Sequence, residues 1–143
     1  MNAEISTQMQ VWPAVLSKQL DGSTLVTFPD IPEALNEGEN ATEAMSRARD
    51  CLVSALGGYI NRQRTIPQPA LLRGRHSVVL PELTAAKVEL HNVMQKQEIG
   101  NSGLAAMLSV SEEVVQLLTD LDHHSHIEEV ETALLTLGQQ SAA

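Results

Sequence analysis

A chain of 143 residues suffices for one ordinary domain or two small ones, and 43% hydrophobic content excludes wholesale disorder. Aromatics reach only 2% (Trp12, Phe28 and Tyr59), so the core must be aliphatic and a base-stacking nucleic-acid surface is excluded. The net charge of −9 is uneven: residues 84–143 set Lys87 and Lys96 against nine acids, a balance of −7 that disfavours phosphates and suits a basic partner.

The single cysteine, Cys51, has no internal disulfide partner, which fits a reducing compartment, and its helical neighbours mark it as an inert core thiol. Met1 to Gln10 is polar and lacks a basic-then-apolar signal pattern. No apolar run approaches the ~20 residues of a membrane helix. The expectation is a soluble, cytoplasmic protein.

In chain order, Met9 to Leu16 is β-prone but interrupted by Pro13, which predicts an edge strand or a bulge. Asp21-Gly22 supplies turn chemistry, and Leu25 to Phe28 completes an antiparallel hairpin. Pro29 and Pro32 push Phe28 and Ile31 towards extended geometry, predicting a brief extended crossing, and Ala34 to Glu37 adds a short third strand. Gly38 permits a sharp change of direction, and Asn40 with Glu43 has the spacing of a capping box. From Ala41 the apolar period is helical, through Ala44, Met45, Ala48, Leu52, Leu56 and Tyr59, to about Arg62. Gly57-Gly58 inside it marks a bend or a close approach to the sheet. Ser77 to Leu80 is a last strand.

The remainder reads as helices. Thr84 caps one to about Gln97, Asn101 or Ser102 caps a second over Leu104 to Leu108, and Ser111 opens a third to about Leu121. The last runs from Ile127 to a stop at Gly138. The predicted fold class is α+β: an N-terminal antiparallel β-sheet with one packed helix in residues 1–80, then an all-α helix-turn-helix bundle in residues 81–143.

Few constellations carry chemistry. His123-His-Ser-His126 lacks the i, i+4 geometry of a defined metal site and reads as a polar loop. The acids Asp21, Asp30, Glu33, Glu37 and Glu39 have no candidate base to complete an acid–base pair, and no phosphate-cradling loop or nucleophile elbow is present. No catalytic residue, metal or cofactor is expected. In the helix-turn-helix, Lys96, Ser111 and Gln116 are the candidate DNA-binding residues. Glu112 and Glu113 would be repelled by the phosphates they must pass, so DNA binding and a purely structural, dimerising use stand about even.

Trp12-Pro-Ala-Val15, Phe28-Pro-Asp-Ile-Pro32, Gly38, Thr42-Glu-Ala44 and Ile66-Pro-Gln-Pro69 together resemble the HicB antitoxins of bacterial type II toxin–antitoxin modules. The run from Leu104 to Ser111, through His123-His124 to Gly138, is similar to the helix-turn-helix tail of the longer members. The resemblance implies a partial ribonuclease-H-like first domain that cleaves nothing. It implies binding to a basic, HicA-like toxin that cuts mRNA, with the toxin's active site covered, and assembly as a homodimer or homotetramer. Its signature block puts Phe28, Asp30, Ile31 and Glu33 forward as candidate toxin-binding residues. It also implies autorepression at the operator, but Ala106 and Met107 stand here where longer members usually carry arginine. The alternative is a helix-turn-helix transcriptional repressor whose N-terminal domain senses a ligand.

Overall fold

The hairpin that Asp21-Gly22 predicts is present in the computed structural model, which describes residues 10–70 and 76–142, with side chains to residue 139. The elements are β1 (Val11–Lys18), β2 (Thr24–Thr27), β3 (Leu35–Gly38), α1 (Ala41–Asn61), β4 (His76–Val79), α2 (Glu82–Gln97), α3 (Asn101–Leu108), α4 (Glu112–Leu118) and α5 (Ile127–Ala142). Residues 1–9, read above as a polar lead-in and the first residue of a strand, and residues 71–75 of the connection before β4 lie outside the described residues. The described chain falls into two compact units: residues up to Gly58 with Pro67–Leu80, and Tyr59–Ile66 with the residues from Pro81 onward.

In the first unit the sheet order is β3-β2-β1-β4, antiparallel throughout, with α1 packed on one face. Strand alternation puts Trp12, Ala14, Val26 and Val78 on the buried side and Val11, Val15, Leu35 and Val79 outside. At about 1.5–3 kcal/mol for each fully buried large apolar side chain, this face supplies much of the unit's stability.

Pro13 does not make β1 an edge strand, because β1 lies between β2 and β4. It uses its two halves separately: residues 11–14 pair with β4, residues 15–18 with β2. The Leu80 N–H donates to the Gln10 carbonyl at 3.0 Å, so hydrogen-bonded pairs with β4 fall on even positions of β1. The nitrogen of Pro13 therefore faces the side where β2 has already ended, and no ladder bond is lost.

Asn40 caps α1: its Oδ1 accepts from the Glu43 N–H at 2.9 Å, while Glu43 Oε1 reaches back to the Glu39 N–H at 2.7 Å. Ala44, Ala48, Leu52 and Leu56 form the fully buried stripe, whereas Ala41 is exposed. A Cβ placed on Gly57 would meet nothing within 4 Å, so no close approach explains that glycine.

The helical unit has its core between α2, α3, α4 and α5, around Leu90, Met94, Leu104, Val115, Val130 and Leu137. Helix α2 begins earlier than Thr84 suggests: Pro81, with φ −58° and ψ 152°, is its N-cap, and its carbonyl accepts the first helical bond from the Ala85 N–H at 2.9 Å. Gly100, not Asn101 or Ser102, is the N-cap of α3, and α5 passes through Gly138 to Ala142. Ser111 caps α4 as expected, its Oγ accepting from the Val114 N–H at 3.3 Å.

Two features of this unit rest on contacts between residues far apart in sequence. Lys87 is only 1% exposed, and its ammonium donates to the carbonyls of Leu117 at 2.9 Å, Asp120 at 2.7 Å and His123 at 2.7 Å. All three N–H donors are satisfied, and the cation lies at the C-terminal end of α4, where the helix dipole favours it. Burial pulls the Lys87 pKa down, and the carboxylates of Asp120 and Glu129 push it back up. Separately, residues 63–66 are strapped along α2. Asn92 accepts from the Ile66 N–H at 2.9 Å and donates to its carbonyl at 2.8 Å, as a neighbouring strand would. The buried His91 bonds Arg64 O through Nε2 at 2.7 Å, and because a carbonyl only accepts, Nε2 carries the proton.

Candidate functional site

The Phe28–Ala34 stretch is not the extended crossing its prolines suggest. It makes two tandem turns: Ile31 N–H donates to Phe28 O, and Ala34 N–H to Ile31 O, each at 3.0 Å. Each turn repeats one pattern, an apolar residue, then proline, then an acid, then an apolar residue. Proline's fixed φ suits the second position of a β-turn, which outweighs its extended bias on the residue before it.

The pattern sorts side chains by chemistry. Phe28, Ile31 and Ala34 are at most 1% exposed and anchor the turns in the core. Pro29, Pro32 and Glu33 face outward, followed by the exposed Leu35, and Asp30 is part-buried. Of the four residues singled out by the signature block, the structure thus places Phe28 and Ile31 in the interior and Asp30 and Glu33 at or near the surface. Asp30 Oδ2 accepts from the Ala70 N–H at 3.1 Å, tying the Pro67–Ala70 segment onto the double turn. This contact joins two parts of the family-like pattern that are distant in sequence.

Gly38 fixes how the double turn leads into α1. Its φ is not positive; among the described glycines only Gly22, in the hairpin turn, has one. Instead, a Cβ on Gly38 would stand 2.5 Å from the Ala44 nitrogen and 2.8 Å from its Cα, so the glycine is required for close approach to the helix. Asn36 reinforces the junction by donating from Nδ2 to Ala44 O at 3.0 Å, although its Oδ1 is buried without a partner. Cys51 donates its thiol to Leu35 O at 3.2 Å, and burial raises its pKa, which keeps the sulfur protonated and unreactive. In the hairpin turn, Ser23 donates to Asp21 from both backbone and hydroxyl, which lowers the Asp21 pKa and makes it a turn-former.

In the helical unit, Ser111 and Gln116 lie on the exposed side of α4, and Lys96 is exposed in the last turn of α2. The serine hydroxyl already serves as a cap. With Lys87 buried, Lys96 is the exposed lysine of residues 84–143, and no lysine or arginine follows it in the chain. His123 serves through its backbone, accepting from Lys87 and donating to Asp120 O. Among the described residues no group of three or more His, Cys, Asp or Glu side chains is arranged to hold a metal. No described helix is long and apolar enough to cross a membrane.

Residues 11–89 match the sequence family described as HicB_like antitoxin of bacterial toxin-antitoxin system. Antitoxin HicB 2 of Photorhabdus laumondii subsp. laumondii is 39% identical over 114 residues, covering 80% of this chain and 81% of that protein. Antitoxin HicB of Escherichia coli strain K12 is 34% identical over 130 residues, 90% and 94% of the two chains. Antitoxin HicB of Pseudomonas fluorescens is 37% identical over 121 residues, 83% of each. The matched region contains the double turn, Gly38, α1 and the Pro67–Ala70 segment.

Proposed function

The chain belongs to the HicB-like antitoxins of bacterial toxin–antitoxin systems, and from that premise we propose that it neutralises a basic, HicA-like mRNA-cleaving toxin by covering the toxin's active site. The observation that carries this reading is the acidic double turn. Buried anchors at Phe28, Ile31 and Ala34 hold Glu33 and the exposed Pro29, Pro32 and Leu35 outward, with Asp30 half-buried among them, as a pre-ordered surface needs. The overall charge of −9 speeds encounter with a cationic partner. Inhibition proceeds by stoichiometric binding rather than by chemistry. The strand and helix order supports a partial ribonuclease-H-like first domain in residues 1–80, which we assign to the toxin. Residues 81–143 we assign to assembly as a homodimer or homotetramer, which light scattering on the purified chain measures.

Co-purification with the basic protein encoded beside it, followed by an RNA-cleavage assay with and without this chain, tests the proposal. A complex and suppressed cleavage are expected; no complex, or undiminished cleavage, overturns it.

A second reading, repression of its own operator, draws on α3 and α4 joined by residues 109–111, an arrangement that suits a helix-turn-helix. Its contacts would be Lys96, Ser111 and Gln116. A salt-sensitive shift of upstream DNA is its signature, and no shift at low salt removes it.

A further inference from the structure

The sheet has an open edge at β3 and another at β4, and the ladder fixes which backbone groups each presents. The Gln19 N–H donates to Ser23 O at 2.8 Å, so odd residues of β2 bond to β1 and even ones to β3. In β3, Asn36 and Gly38 therefore bond to β2, while the N–H groups of Leu35 and Glu37 and the Glu37 carbonyl point off the outer edge. No described strand pairs with them. The other outward carbonyl, that of Leu35, accepts from the Cys51 thiol at 3.2 Å. At the opposite edge the same alternation turns Ser77 and Val79 of β4 outward.

The two edges differ in charge. Glu37 lies within β3 and accepts from Ser23 Oγ at 3.4 Å, and the exposed Glu33 and Glu39 stand on either side of the strand. Leu35, 55% exposed, adds an apolar side chain on the sheet face away from α1, in register with Thr27 and Val15. Strand β4, His76–Val79, carries no acid.

Three occupants of the β3 edge can be weighed. A second copy paired edge to edge would bring Glu33, Glu37 and Glu39 of both copies together. DNA would set its phosphates against the same acids. An extended segment of a basic protein meets unpaired N–H and C=O groups, an apolar side chain and matching charge. Glu37 thus guards the edge against its own kind and admits a cationic strand.

We propose that the outer edge of β3 takes up an extended segment of the basic toxin as an added strand of the sheet, continuous with the double turn that ends at Ala34. This rests on the toxin-neutralising reading above. Main-chain bonds to Leu35 and Glu37 supply affinity, and the acids select and steer the cationic segment.

Amide hydrogen exchange, read residue by residue on the full chain with and without the co-encoded toxin, tests the proposal. In the free chain Asn36 and Gly38 should exchange slowly and Leu35 and Glu37 fast; on binding, the latter two should slow by about tenfold or more. Glu37→Pro removes one outward N–H and leaves the bonds to β2 in place. It should weaken toxin affinity about tenfold, whereas Ser77→Pro, the equivalent change on β4, should leave affinity unaltered. Each is checked for an unchanged unfolding midpoint. Where a proline lowers it, Glu37→Lys decides, since it keeps the N–H and should slow association about threefold at low salt. If the unaltered chain does not bind the toxin, the neutralising reading fails and takes this inference with it. If it binds while the Leu35 and Glu37 amides still exchange fast and the Glu37 variants bind equally well, only this inference is overturned. Protection of Ser77 and Val79 instead, or of Leu35 and Glu37 in the toxin-free chain as its concentration rises, overturns it in favour of the other edge or a second copy.

Discussion

The sheet unit and the helical unit solve the same problem, fixing polar groups in place, over different sequence distances. In the sheet unit most of these bonds are short-range (Phe28 to Ile31, Ile31 to Ala34, Asn40 to Glu43 and Asp21 to Ser23), with Asp30 to Ala70, 40 residues apart, the exception. In the helical unit Lys87 reaches carbonyls 30 to 36 residues away, and Asn92 reaches back 26 residues to Ile66. The local devices shape turns and a helix start at the surface, whereas the distant ones of the helical unit close a core. An acidic unit thus keeps one of its few cations inside, where three carbonyls hold it, and presents acids outside.

The sharpest way to break this contrast is to remove the distant hub. Lys87→Met keeps the buried stem but removes the charged donor from the Leu117, Asp120 and His123 carbonyls, each of which keeps a backbone N–H partner. Destabilisation of about 3 kcal/mol is expected in chemical unfolding, since three bonds to a charged donor are lost together. A loss under about 1 kcal/mol would mean that water replaces the ammonium and that the hub is dispensable.

The corresponding test in the sheet unit is steric. Gly38→Ala places a methyl group 2.5 Å from a backbone nitrogen, so either α1 or β3 must shift. A cost of about 2 kcal/mol follows, read as a lowered thermal midpoint. Because the shift displaces the residues leading out of the double turn, toxin affinity should fall as well. For Lys87→Met, in contrast, the unit that fails is the helical one.

These two sites also mark where the sequence stops being readable. The Asn40 cap, the Asp21-Gly22 hairpin and the helical period of α1 are visible because their partners lie within a few residues. The double turn was open to the same reading, since Pro-acid repeats at Pro29-Asp30 and Pro32-Glu33, but proline's effect on its predecessor suggested extension instead. Gly38 is a glycine for the sake of a helix packed against it, and only the tertiary structure supplies that helix. Thr84 and Gly138 look like helix ends by composition, yet Pro81 starts α2 and α5 continues to Ala142. Lys87 gives no local signal, because a lysine between alanine and valine looks like any solvated cation.

Three of the helices end in the same way. At α1, α2 and α3 a residue with positive φ follows the helix (Gln63, Glu98 and Ser109), and the next N–H turns back to a carbonyl five residues earlier. Glycine is the usual occupant, so each site holds strain. Gln63 has a compensating bond to Gln95 through its side chain, but Ser109 is exposed at 59°. Ser109→Gly should therefore stabilise the helical unit by about 0.5–1 kcal/mol, seen as a higher unfolding midpoint. A decrease would show that the serine side chain holds the α3–α4 turn.

The smallest expected effect separates buried acid from surface acid. Burial raises the Glu89 pKa above its ordinary 4.5, so the folded unit favours the protonated carboxyl. The stability linked to that proton is fully present below about pH 4.5 and is lost as pH rises through the raised value, so at pH 7 the ionised Glu89 sits at a cost. Glu89→Gln should thus melt slightly higher than the unaltered chain at pH 7, by a few tenths of a kcal/mol. The gain should shrink to nothing as pH falls below 4.5. Asp122→Asn, which removes the same charge from the exposed loop after α4, isolates the contribution of repulsion within the acidic unit. If both variants gain equally, charge density rather than burial governs the stability of this unit.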